Sequence, residues 1–178
     1  MEKKELIYLV EDNAIFASTT SKGLENELGF MVMVFQTGEL LLQHIAEHPD
    51  EIPSIVILDY YLNSEVPDAM NGGEVLAKLK DPVKRNNPLR KTPVIILSSA
   101  DELGTAVNLL KKGATDYILK EDGFFDNLKK TINTILSIRN YQSEIQFHKN
   151  KAENYRKRLI IMGAIIVALL GLVIYLFS

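Results

Sequence analysis

Residues 53–62 read PSIVILDYYL. Pro53 precedes the run, Ile55–Leu58 are four apolar residues in succession, and Asp59 closes it. A run that is apolar throughout, with no alternation, suits a strand covered on both faces. A proline just ahead of such a strand does least harm, because its missing N–H falls outside the ladder. Four more runs of this kind flank the first: Leu6–Val10, Met31–Phe35, Val94–Leu97 and Tyr117–Leu119. Segments with helical spacing separate them. Five strands interleaved with helices predict an α/β fold with a doubly wound, five-stranded parallel sheet.

The helices have readable limits. Asn13 is an N-cap for a helix carrying Phe16, Leu24 and Leu28 on one broad face. Thr37 caps a second, with Leu40, Leu41, Leu42 and Ile45 behind it. Gly72 and Gly73 precede Val75, Leu76 and Leu79. A fourth helix runs from about Asp101 to Gly113, and a fifth starts near Asp122. No Gly or Pro occurs between Gly123 and Gly163, so the fifth helix is expected to continue past the sheet. Ile138, Tyr141, Ile145, His148, Ala152, Tyr155 and Leu159 then follow at alternating spacings of three and four, a short a/d heptad pattern that suits either a signalling helix or dimer seam, or a solvated linker helix.

Polar residues gather where the strands end. Glu11 and Asp12 follow the first, Asp59 ends the third, Ser98 and Ser99 follow the fourth, and Lys120 follows the fifth. In an open parallel sheet, ligands collect outside the carboxyl ends of the strands. Three carboxylates on one edge repel one another and require a cation. All-oxygen ligation without Cys or His favours Mg²⁺. A carboxylate beside a bound cation, an ammonium and a hydroxyl is a layout that accepts a phosphoryl group.

Composition narrows the classes. The chain has 178 residues, 47% of them hydrophobic and 24% charged, with a formal net charge of −3. It has no cysteine, which excludes disulfide scaffolds, thiol catalysis and cysteine-held zinc or iron–sulfur sites. The three histidines, His44, His48 and His148, are read as no metal pair.

Residues 159–177, LIIMGAIIVALLGLVIYLF, hold no charged side chain. Nineteen helical residues span roughly 29 Å, about one hydrocarbon thickness. The stretch is expected to be a transmembrane helix, with only Ser178 beyond it. Residues 139–158 carry six bases and two acids, a net +4. The positive-inside tendency then places a tail-anchored protein in the inner (cytoplasmic) membrane with its bulk facing the cytoplasm. The first 138 residues are left with −7, too acidic to favour nucleic acid. Three segments are thus expected: a globular domain over 1–138, a helical or coiled-coil linker over 139–158, and the membrane helix over 159–177.

Taken in order, LIYLVEDN (6–13), PSIVILDYYL (53–62), NGGEVL (71–76), TPVIILSSAD (92–101) and GATDYILK (113–120) resemble the receiver domain of two-component response regulators, over about residues 4–138. The resemblance implies a flavodoxin-like sheet in the order 2-1-3-4-5. It also implies phosphorylation by a histidine kinase or phosphotransfer protein, with Mg²⁺ as cofactor. Asp59 then corresponds to the phosphoacceptor. Asp12 corresponds to a direct Mg²⁺ ligand, Glu11 to one acting through water, and the backbone carbonyl of Tyr61 to a further ligand. Ser98 would bond a phosphoryl oxygen, Lys120 would pair with it, and Tyr117 stands at the switch aromatic. Such a domain is a signalling acceptor, not an enzyme beyond self-catalysed phosphotransfer and dephosphorylation. Its expected partners are the kinase, membrane lipid through 159–177 and a second copy, with no nucleic acid.

Three positions depart from the pattern. Gly72 lies 13 positions after Asp59, a longer loop than usual. Ser99 replaces a common alanine. Glu121 replaces the usual proline after the lysine, so Lys120–Glu121 is expected to be trans, since a non-proline cis bond costs about 3–4 kcal/mol. The alternative function is a receiver-like membrane scaffold that carries no phosphate. A phosphatase or dehalogenase would want an acid two residues after its nucleophile, where Tyr61 stands.

Overall fold

A computed structural model describes residues 4–62, 68–83, 87–99 and 103–176. Five strands form one sheet: β1 (Leu6–Val10), β2 (Met31–Phe35), β3 (Ile55–Asp59), β4 (Val94–Ser98) and β5 (Asp116–Leu119). All pairings are parallel, in the order β2-β1-β3-β4-β5. The helices are α1 (Ala14–Leu28), α2 (Gly38–Glu47), α3 (Gly72–Lys80), α4 (Leu103–Lys111) and α5 (Phe124–Leu176), with a 3₁₀ turn at Pro88–Lys91. The expected strand set is therefore the observed one, with β3, β4 and β5 each one residue longer.

The two faces of the sheet explain the unbroken apolar runs. Tyr8, Val10, Val56, Leu58, Val94 and Ile96 point to one face, where Leu41 of α2 and Val75, Leu76 and Leu79 of α3 join them. Successive strand residues alternate between faces. Ile7, Leu9, Ile57, Ile95 and Leu97 therefore fill the other, and each is fully buried. Leu24 of α1 and Leu128 and Ile132 of α5, fully buried outside the first cluster, match that side.

The caps follow the sequence closely. Asn13 accepts from Phe16 N and Thr37 from Leu40 N, as expected of both. Helix α3 carries a cap the glycine pair obscures: Asn71 and Glu74 form a reciprocal capping box. The expected start of α4 at Asp101 lies outside the described residues; the described helix begins at Leu103. The backbone of Lys120–Glu121 is trans, no cis bond occurring among the described residues.

His44 on α2 and His48 at its C-cap, which the sequence pattern gives no role, stand four apart with their rings stacked at 4.4 Å. His44 Nε2 lies 2.8 Å from Glu51 Oε1, which also accepts from the buried Tyr8 hydroxyl at 2.7 Å. This network lies at the foot of β3, not at the acidic edge.

The chain divides into two compact units, Met1–Ile132 and Asn133–Ser178. The second is helical, and Ile138, Tyr141, Ile145, Tyr155 and Leu159 of the heptad seam are each more than half exposed. The transmembrane helix expected over 159–177 is not found: among the described residues, no helix is long and apolar enough to cross a membrane. The side chains of 165–170, 172, 174 and 176, and all of 177–178, lie outside the described residues.

Candidate functional site

The parallel pairing brings the carboxyl ends of β1, β3, β4 and β5 level. Val10 pairs with Leu58, Asp59 with Leu97, and Ser98 with Leu119. Backbone bonds continue past the strands and fix the residues just beyond them. Glu11 N donates to Phe35 O at 2.9 Å, Tyr60 N to Leu97 O at 2.8 Å, and Lys120 N to Ser98 O at 2.7 Å. The polar residues at this edge thus hang from sheet-like backbone, which holds them more tightly than a free loop would.

Glu11, Asp12 and Asp59 each bring a carboxylate oxygen within 4.8 Å of the others. Lys120 enters the same cluster, with Nζ 2.7 Å from Glu11 Oε2 and 3.0 Å from Asp59 Oδ1. Glu11 is 1% exposed, Asp59 3% and Asp12 8%; Ser98 is wholly buried. Tyr117, in β5 opposite Ile96, is half-buried against the core. Tyr61 supplies a backbone N–H to the Asp59 carboxylate. The structure therefore brings Glu11, Asp12, Asp59 and Lys120 together, with Ser98 ending β4 at the same edge of the sheet.

Electrostatics follow from depth. Burial pushes the Glu11 carboxyl up to about 7, and the Asp59 charge adds to the rise while the Lys120 ammonium opposes it. Burial also raises Asp59, against the pull of Lys120 and the Tyr61 N–H, with Asp12 adding repulsion. Near as Lys120 is, Asp59 Oδ1 takes no well-aligned hydrogen bond. Three carboxylates and one ammonium leave a local excess of negative charge, and every donor is an oxygen. This set fits a hard dication such as Mg²⁺.

Several neighbours were not legible in the sequence. Gly72 packs so close that a Cβ there would lie 2.3 Å from Asp59 O and 2.8 Å from Tyr60 Cα. Only glycine admits this approach of α3 to the end of β3. Glu39 Oε1 accepts from Met70 N at 2.8 Å and ties down the far end of the long loop, whose residues 63–67 lie outside the described set. Phe16, read as a core position of α1, instead sets its ring under the Lys120 ammonium, 4.4 Å from Nζ. Ser99 and Glu121 are both exposed, and nothing in the structure explains the serine.

Comparison with known proteins agrees with this geometry. A family model described as response regulator receiver domain matches residues 7–133. The two-component response regulator ORR5 of Oryza sativa is 30% identical over 115 residues, covering 64% of this chain and 76% of that protein. The transcriptional regulatory protein ZraR of Escherichia coli is 31% identical over 129 residues, 72% of this chain but only 26% of ZraR. Among solved structures, a signal receiver domain named for a Luxo repressor protein of Vibrio parahaemolyticus superposes with a TM-score of 0.64 at 26% identity, covering 80% of this chain and 98% of that one.

Proposed function

The chain belongs to the response regulator receiver family, and from that premise we propose that Asp59 accepts a phosphoryl group from a histidine kinase or phosphotransfer protein. The observation that carries this reading is the level carboxyl edge: an acceptor carboxylate, two further acids within 4.8 Å, and an ammonium at 3.0 Å. An Asp59 oxygen forms the new P–O bond while the donor's P–N bond breaks, and the imidazole nitrogen keeps the electron pair. Lys120 offsets charge on the transferring oxygens, and the Ser98 hydroxyl donates to one of them. The Tyr61 N–H holds the acceptor carboxylate in place. Glu11, Asp12, Asp59 and the Tyr61 carbonyl would hold Mg²⁺, which supplies fixed positive charge against the phosphoryl oxygens. The chain is an acceptor, not a turnover enzyme.

In this reading the Ser98 hydroxyl moves toward the phosphoryl group and Tyr117 turns inward behind it. The face of α4, β5 and α5 then changes, and output is by docking to other proteins, a second copy among them. The tether rests on the sequence: residues 159–177 carry no charge and follow a stretch of net +4, which favours the inner membrane with the receiver unit in the cytoplasm.

Labelling with a small acyl phosphate donor tests the acceptor. Wild type takes one phosphoryl group in the presence of Mg²⁺ and little without it; Asp59→Asn takes none. Equal labelling of both proteins removes Asp59 from the mechanism. The second reading, a scaffold that carries no phosphate, is favoured by the 3% exposure of Asp59. Absence of label on wild type with saturating Mg²⁺ would decide for it.

A further inference from the structure

We infer that Phe16 is a positioning residue for the Lys120 ammonium, with Phe124 as its brace. The inference rests on the acceptor reading above and adds a group that reading does not contain. Lys120 Nζ lies 4.4 Å from the centroid of the Phe16 ring, well inside cation–π range. The Lys120 side chain is only 14% exposed, and such contacts strengthen as the cation loses water.

The geometry gives the ring a specific task. Two sides of the ammonium face Glu11 at 2.7 Å and Asp59 at 3.0 Å. Beyond it is an open cavity of about 440 Å³, lined by Phe16, Phe124, Thr20, Asn13, Glu11 and Lys120 itself. A long flexible lysine beside such a space has room to swing out and rehydrate. The Phe16 ring offers a third attractive face that keeps the ammonium over the acceptor pair.

Phe16 is itself held. Its backbone N–H donates to the Asn13 cap at 2.9 Å, which fixes the first turn of α1. Its ring meets that of Phe124, at the start of α5, with centroids 5.1 Å apart and planes at 31°. Phe124 meets Phe125 at 6.1 Å and 70°. Phe125 in turn lies over Gly23 of α1, where a Cβ would come within 2.5 Å of its Cζ. A row of three rings is thereby wedged between α1 and the first turn of α5, with the ammonium at one end.

The test uses the full chain in detergent. Phe16→Leu keeps apolar bulk but removes the ring quadrupole; Phe16→Tyr keeps both. Labelling of Asp59 by a small acyl phosphate, with Mg²⁺ present, should slow about three- to tenfold in Phe16→Leu and stay within about twofold of wild type in Phe16→Tyr. In a Lys120→Met background, Phe16→Leu should have no further effect. With lysine labelled for NMR, the Lys120 ε-methylene protons should be shifted upfield by the ring in wild type and Phe16→Tyr, and not in Phe16→Leu. A wild-type labelling rate in Phe16→Leu overturns the inference. So does an equal slowing without Lys120, or an unshifted ε-methylene in wild type. Wild type that takes no label while its ε-methylene stays upfield overturns the acceptor reading and the positioning role with it, leaving the contact itself intact.

Discussion

Glu11 shows how a single buried carboxyl couples the site to pH. Its ordinary value is 4.5 and burial raises it to about 7 in the folded chain. Between those values the folded state holds a proton that the unfolded state releases, so Glu11 favours folding at low pH and that contribution is lost as pH rises through about 7. Glu11→Gln removes the titration. The stability of the variant relative to wild type should therefore grow from pH 5 to pH 8, measured by urea unfolding without divalent cation. Saturating Mg²⁺ should narrow the difference. A gap that stays constant with pH would show that Glu11 is not the group responsible. Gly72 supplies a second test at this scale. A methyl group there meets Asp59 O and Tyr60 Cα, both backbone, so Gly72→Ala should cost roughly 1–3 kcal/mol in urea unfolding. Gly73→Ala meets first the Asn71 side chain, at 3.1 Å, and should cost less. The acids, Ser98 and Lys120 were legible because each follows an apolar run, and parallel pairing sends all such ends to one edge. Phe16 was not, because its partner Lys120 follows β5, over a hundred residues away, and no local periodicity encodes that meeting.

The helices are where local sequence and tertiary packing divide the work. Asn13 and Thr37 were readable as caps because each precedes an apolar face at the right offset. Asn71 was not, since two glycines and Glu74 separate it from Val75, the first apolar residue. Its side chain accepts from Glu74 N at 3.0 Å, and Glu74 Oε2 accepts from Asn71 N at 2.9 Å. Asn71→Ala removes the side-chain half of the box and leaves only the backbone N–H of position 71 on Glu74, which should cost about 1 kcal/mol by chemical denaturation. An unchanged midpoint would mean that water replaces the box. Helix α3 also depends on Glu39 of α2 through Met70 N, a contact across 31 residues that no spacing rule anticipates. The same holds for Tyr8, whose hydroxyl is buried in β1 only because Glu51 and His44 meet it there.

For the whole molecule, the five runs and their uniform apolar character carried the fold class, and the structure differs from that reading by single residues at strand ends. Strand order was not in those runs; it came from resemblance, and β2-β1-β3-β4-β5 agrees with it. The heptad seam belongs to the unit Asn133–Ser178 and is testable by itself as a pairing surface. Ile138 and Ile145, 52% and 54% exposed, occupy two of its a positions. Lysine at both should shift the full chain in detergent toward monomer by sedimentation equilibrium. Identical distributions for variant and wild type would remove the seam as a dimer contact.

The order in which the carboxyl edge is made also has a consequence for folding. Glu11, Asp12 and Asp59 are all synthesised more than sixty residues before Lys120, the ammonium that lies between two of them. A nascent chain that docks β1 against β3 before β5 emerges must press three like charges together without their counterweight. Docking of β1 against β3 ahead of β5 should accordingly be disfavoured at neutral pH and low ionic strength. A dication or mild acid, by quenching that repulsion, should let the two strands meet before the fifth is made.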